Sequence, residues 1–207
     1  RQGQPEPASP ARQPKWQGKA ELQEKHTARP DSPIIGPRKV LYKDPYQQIY
    51  GVTADFGEFK KEYFVREAGH RAGIVAVRDN SVLLVEQYRL LIDGPSLEIP
   101  GGKVDDGESL EDAAVRECLE ETGVRCLNPH PLIFYHVGMD TTYSPTHIFL
   151  SDQISDQLEP QEIHQEEVSG LQWVPLTQCL DMIFAGEIMD SFTITGILAY
   201  HTKATRK

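Results

Sequence analysis

Three glutamates set four and fewer residues apart carry the chemistry that this sequence announces. Glu117, Glu120 and Glu121 fall in the segment Gly102 to Val124, GKVDDGESLEDAAVRECLEETGV. With Glu117 at zero and 100° per residue, Glu121 lies near +40° and Glu120 near −60°, so the three share about 100° of one helical face. Val115, Cys118 and Leu119 occupy the opposite arc, which suits a core. Like charges at i and i+4 cost a few tenths of a kcal/mol. Such a cluster is ordinarily a solvated face. It gains a purpose where hard cations bind against it, because Mg²⁺ and Mn²⁺ prefer carboxylate oxygens and Mg²⁺ also takes phosphate oxygens.

A helix must hold these residues, and its ends are written in the chain. Ser109 is a suitable N-cap, acidic residues fill the first turn, and Gly123 follows the last turn, predicting a helix over 109–121. Around it the chain reads as short strands. Val40 to Lys43, Gln48 to Thr53 and Lys60 to Arg66 come first. Arg71 to Arg78 and Ser81 to Tyr88 follow, joined at Asp79-Asn80, two residues that tolerate positive φ in a hairpin. Further strands are predicted at Leu97 to Pro100, Arg125 to Leu127, Leu132 to His136, His147 to Ser151 and Gly170 to Val174. Helices are predicted at Thr177 to Ala185 and Ser191 to Thr202.

Composition bounds the function. The 207 residues carry 21 Lys and Arg against 31 Asp and Glu, a formal net charge of −10. Residues 1–33 hold six basic and four acidic groups, so by difference the remaining 174 residues carry −12. An acidic domain of this kind is a poor general ligand for nucleic acid. It can handle a phosphate compound where bound metal supplies positive charge. No apolar run reaches the roughly 18 residues of a membrane span, and no apolar leader core is visible. Three scattered cysteines without a C-x-x-C pair fit a reducing compartment, so a cytoplasmic location is expected. Residues 1–33 are rich in Pro and poor in large apolar groups, and read as a flexible tail ahead of one domain over 34–207.

Residues 102–124 resemble the Nudix box, G-x5-E-x7-R-E-U-x-E-E-x-G-U. Gly102, Glu108, Arg116, Glu117, Glu120, Glu121 and Gly123 fill its seven fixed positions. Cys118 is the one unusual apolar filler. A chance match at one start point is on the order of one in 10⁸. The resemblance extends to Glu86-Gln87-Tyr88-Arg89, to Leu97-Glu98-Ile99-Pro100-Gly101-Gly102 and to Trp173-Val174-Pro175-Leu176. These segments are similar to the ADP-ribose and nucleoside-diphosphate-sugar pyrophosphatase branch over roughly 38–202.

That resemblance implies an α/β fold, an α/β/α sandwich around a mixed sheet with an N-terminal antiparallel strand extension at about 38–66. It implies Mg²⁺- or Mn²⁺-dependent hydrolysis of a small nucleoside diphosphate derivative, giving a nucleoside monophosphate and a sugar phosphate. Glu117, Glu121, Glu120 and the carbonyl of Gly101 are the implied metal ligands. Glu120 is also a candidate base, and Arg116 supports the box carboxylates. Arg89 is the implied phosphate contact, with Glu98 beside it in the substrate region. An acidic loop before Trp173 offers Glu167, then Glu166, as general base, ahead of His164. Asp140 and Tyr143 are candidate substrate contacts, and His147 reads as structural or substrate-facing. Tyr46, Tyr50, Phe56 and Tyr63 read first as sheet packing, and otherwise as an adenine pocket. A homodimer sharing its N-terminal strands is expected.

The branch often carries a Pro shortly after the box. Here Met139 or Asp140 stands at that position and Pro145 comes later. Two alternatives therefore stay open: a Nudix hydrolase of nucleoside triphosphates or dinucleoside polyphosphates, and a Nudix-fold ligand-binding regulator without turnover.

Overall fold

The computed structural model describes residues 32–155 and 168–206. The Pro-rich tail expected over 1–33 lies outside the described residues except at its end, as does the acidic loop with Glu166 and Glu167.

Four strands open the chain: β1 (Ile34–Ile35), β2 (Lys39–Lys43), β3 (Gln48–Asp55) and β4 (Lys60–Glu67). They pair antiparallel around β3. The next four are β5 (Arg71–Arg78), β6 (Ser81–Arg89), β7 (Gly94–Glu98) and β8 (Gly101–Lys103). Asp79 and Asn80, at φ of +49° and +59°, make the predicted hairpin turn between β5 and β6. Helix α1 (Leu110–Thr122) follows, then β9 (Cys126–Leu127), β10 (His130–His136), β11 (Thr142–Tyr143), β12 (Pro145–Ser151), β13 (Gln153–Ile154) and β14 (Val168–Pro175). Helices α2 (Leu176–Ala185) and α3 (Ser191–Thr205) complete the chain.

The central sheet runs β10-β12-β5-β6-β14, with β7 on β6 and β8 on β5. It is mixed, because β12 lies parallel to β5 while the other pairs are antiparallel. Alternation along β5 divides the core. Ala72, Ile74 and Ala76 pack with Ala113, Ala114 and Cys118 of α1. Val75 and Val77 pack with Leu176, Cys179 and Ile197 of α2 and α3. Side chains at successive strand positions point to opposite faces, so one strand serves both layers of an α/β/α sandwich. Gly196 lets α3 approach closely: a Cβ there would stand 2.9 Å from Ile99 Cδ1.

The N-terminal extension is joined by a strand from beyond the box, since β11 pairs parallel with β4. Of the aromatic residues expected to pack here, Tyr50 is buried under Arg38, Phe56 stacks on Phe59 at 4.7 Å while partly exposed, and Tyr46 is exposed. Among the described residues, no helix is long and apolar enough to cross a membrane.

Candidate active site

Helix α1 begins where its caps dictate. Ser109 Oγ accepts from Asp112 N at 3.0 Å, and Gly123, at φ +69°, donates to Leu119 O at 2.8 Å. The helix buries Ala113, Ala114, Cys118, Leu119 and Thr122. Val115, expected on the core arc, is only half-buried at the edge of this cluster.

The opposite face is organised by Arg116. Its Nε donates to Glu108 Oε1 at 2.8 Å and its Nη2 to Glu108 Oε2 at 3.0 Å. Nη1 donates to Glu117 Oε1 at 3.0 Å and to Glu120 Oε2 at 2.9 Å, and Nη2 reaches the carbonyl of Lys103 at 3.2 Å. One guanidinium thus ties the loop before the helix to two carboxylates on it. The contact holds the Glu108 carboxyl below its usual range and raises the pKa of Arg116 further.

Glu117 lies against the backbone of the glycine turn. A Cβ on Gly102 would stand 2.4 Å from Glu117 Oε1, so only glycine admits the carboxylate there. Glu121 is turned to the same turn from the next helical position. Its Oε2 accepts from Gly101 N at 3.1 Å and its Oε1 from Gln87 Nε2 at 3.1 Å. Burial pushes the Glu121 carboxyl up to about 7 and raises that of Glu117. Among the described residues, no three His, Cys, Asp or Glu side chains converge into a finished coordination sphere. The donor set nonetheless fits a hard divalent cation. Three carboxylates share one helical face, and burial raises the pKa of two of them, Glu117 and Glu121.

Arg89 ends β6 beside this turn. Its Nε and Nη2 donate to the two oxygens of Glu98 at 2.7 and 2.6 Å, a two-point pair. Glu98 therefore faces Arg89 directly. The pair lines a groove of about 330 Å³ with Arg71, Ser96, Asp190 and Phe192. The start of α3 closes it. Asp190 caps that helix through Thr193 N at 2.8 Å, and Thr193 Oγ1 accepts from Ile99 N at 3.0 Å.

Asp140 and Tyr143 stand elsewhere. Asp140 is exposed in the turn before β11. Tyr143 meets the rings of His70 and His136, at 6.3 and 6.4 Å between centroids. Among the described residues, neither makes a hydrogen bond or ion pair to a box glutamate or to Arg89. His147 is buried between Phe134 and His70, at 4.7 and 5.7 Å. Burial, with His70 and His136 adding to it, depresses its pKa to about 4.

Sequence reasoning missed the two other charged groove residues, Arg71 and Asp190, and the Phe192 ring beside them. Arg71 and Asp190 each stand at the end of an element, where a charged residue reads as ordinary surface. Gln87 stands out in the sequence only as part of a motif, and nothing there signals its bond to Glu121.

A model of the NUDIX domain family matches residues 69–192. The chain is a Nudix hydrolase. Its relatives point in more than one direction. It is 34% identical, over 69% of its length and 68% of the other's, to the CMP-5'-(N-acetyl-N-hydroxy-3-aminopropyl)phosphonate hydrolase of Streptomyces rubellomurinus. It is 26% identical to the ADP-ribose pyrophosphatase of Bacillus subtilis, over 68% and 76%. Among solved structures, an ADP compounds hydrolase superposes with a TM-score of 0.71 at 17% identity, covering 84% of this chain and 95% of the other. That last likeness bears out the expected sandwich. Nudix hydrolases generally use divalent metal ions, which agrees with the donor set of α1.

Proposed function

We propose that this Nudix hydrolase cleaves the pyrophosphate bond of ADP-ribose or a related nucleoside-diphosphate sugar, releasing a nucleoside monophosphate and a sugar phosphate. The observation that carries the reading is the meeting of a buried carboxylate face with an arginine-lined groove across one glycine turn. Glu117, Glu120, Glu121 and the carbonyl of Gly101 would hold Mg²⁺ or Mn²⁺. The chemistry such an ion would supply is polarisation of the diphosphate and a lowered pKa for the attacking water.

The chain's own residues do the rest. Arg116 keeps Glu117 and Glu120 aimed across the helix face. Glu98 fixes the fork of Arg89, so the guanidinium meets a phosphate without first losing rotamer freedom. Glu120 is one candidate for the base that takes the proton of water; Glu167 and Glu166 are the others. Asp140 and Tyr143 remain candidate substrate contacts. The partner expected in solution is a second copy of the chain, and exposed Ile35, Leu41, Phe59 and Phe64 on the N-terminal sheet support it. A reducing, cytoplasmic setting is proposed on the three scattered cysteines without a C-x-x-C pair.

The 34% identity to a hydrolase named for a CMP conjugate favours a second reading, a cytidylyl substrate in the same site. One experiment covers both. The protein is incubated with Mg²⁺ or Mn²⁺ and ADP-ribose, nucleotide sugars, CMP conjugates, dinucleoside polyphosphates or nucleoside triphosphates, and products are separated by chromatography. AMP and ribose 5-phosphate, absent with Glu121→Gln, are the expected result. Cleavage of another compound moves the substrate class. Binding without cleavage of any of them favours a regulator.

A further inference from the structure

Among the described residues, Arg71 is the groove arginine that makes no ion pair with a carboxylate. Arg89 is committed to Glu98 through two hydrogen bonds, and Arg116 to Glu108, Glu117 and Glu120. Among the described residues, no carboxylate lies within ion-pair distance of Arg71. Its guanidinium instead stands over the ring of Phe192, 5.5 Å from the centroid.

That ring is itself fixed. A Cβ on Gly73 would stand 2.2 Å from Phe192 Cζ, and one on Gly101 would stand 2.9 Å from Phe192 Cε1. The ring therefore lies on the backbone of two paired glycines, one of which begins the turn that receives Glu121. Arg71 pairs in register with Lys103, one position from Gly102, against which Glu117 packs. Arg71 thus has one side toward the groove and another toward the carboxylate face.

We propose that Arg71, shelved on Phe192, is a substrate-binding residue that takes a non-bridging oxygen of the diphosphate. This inference rests on the diphosphate reading above. An incoming phosphate can engage Arg71 without breaking an ion pair, whereas Arg89 must share its charge with Glu98. A cation presented on an aromatic shelf keeps its fork exposed and pays little ordering entropy. Phe192 is the positioning residue for it.

The test is binding of ADP, measured by titration calorimetry, alongside steady-state kinetics on whichever compound of the panel is cleaved. Arg71→Ala is expected to weaken ADP binding and to lower kcat/KM about ten- to a hundredfold, the range for a lost hydrogen bond to a charged group. Most of the kinetic loss should fall in KM, Arg71→Lys should recover part of it, and the melting temperature should stay at its wild-type value because Arg71 is exposed. Phe192→Leu should reproduce a smaller share of the loss, restored by Phe192→Tyr. ADP affinity and KM within twofold of wild type in Arg71→Ala overturn the proposal, as does a wild-type chain that binds no ADP. Turnover of a compound without a diphosphate, with ADP binding still lost in Arg71→Ala, would sink the substrate reading and leave the role of Arg71 standing.

Discussion

The two larger sheets of this molecule meet opposite fates. In the central sheet, β12 is buried at all seven positions and β5 at six of eight. In the N-terminal sheet, β2 is exposed throughout and β4 is never fully buried. The difference is coverage. Helices on both faces let the interior residues of β5, from Ala72 to Val77, contribute to a core, whereas β2 and β4 have no such cover. The central sheet therefore holds the core and the candidate site, and the N-terminal sheet exposes apolar surface.

The largest expected effect tests where function resides. Glu117→Gln or Glu121→Gln should lower kcat/KM by about a hundred- to a thousandfold at matched metal, with a circular dichroism spectrum unchanged. Comparable losses from Tyr42→Ser on β2, an exposed residue, would break the division of labour.

Next comes packing. Gly73→Ala drives a methyl into the Phe192 ring and should cost about 1–3 kcal/mol in urea unfolding. Gly51→Ala on β3 meets nothing nearer than 3.6 Å and should stay within about 0.5 kcal/mol. Equal costs at the two glycines would argue that the sheets are equally constrained.

Acid gives a smaller difference. His147 lies in the central sheet with its pKa depressed to about 4 from 6.5. The unfolded chain takes the proton first as pH falls, so this group's stabilising share is intact above 6.5 and lost on the way down to about 4. At about 1.4 kcal/mol per unit, and allowing for local relaxation, the loss is about 1–2 kcal/mol. Melting curves between pH 7 and pH 4 should show it, and His147→Phe should flatten it.

The smallest effect on the fold is expected at Phe64, 56% exposed on β4. Phe64→Ser should shift urea stability by less than about 0.5 kcal/mol yet reduce the dimer fraction in analytical ultracentrifugation. An unaltered sedimentation profile would place any self-association on another surface.

What could be read from the chain follows how local its cause is. The box was legible because helical spacing alone puts Glu117, Glu120 and Glu121 on one face, and because Ser109 and Gly123 mark the ends. The hairpin at Asp79-Asn80 was legible for the same reason. The parallel pairing of β11 with β4 was not, since two residues carry no periodicity and their partner precedes the box. Arg71 was read only as a strand boundary. Its meaning depends on Phe192, which reaches it through the packing of α3 on two glycines, a contact no window of sequence contains.

Arg116 has a practical consequence. By lending one guanidinium to Glu108, Glu117 and Glu120, the domain carries its own counter-ion across the acidic face. Small metal-stapled domains unravel when chelated, because their ion is part of the fold. Here the internal cation keeps the loop and helix joined, so a chelated preparation should remain a folded, idle enzyme. On the proposed function, divalent salt would then be a starter rather than a scaffold.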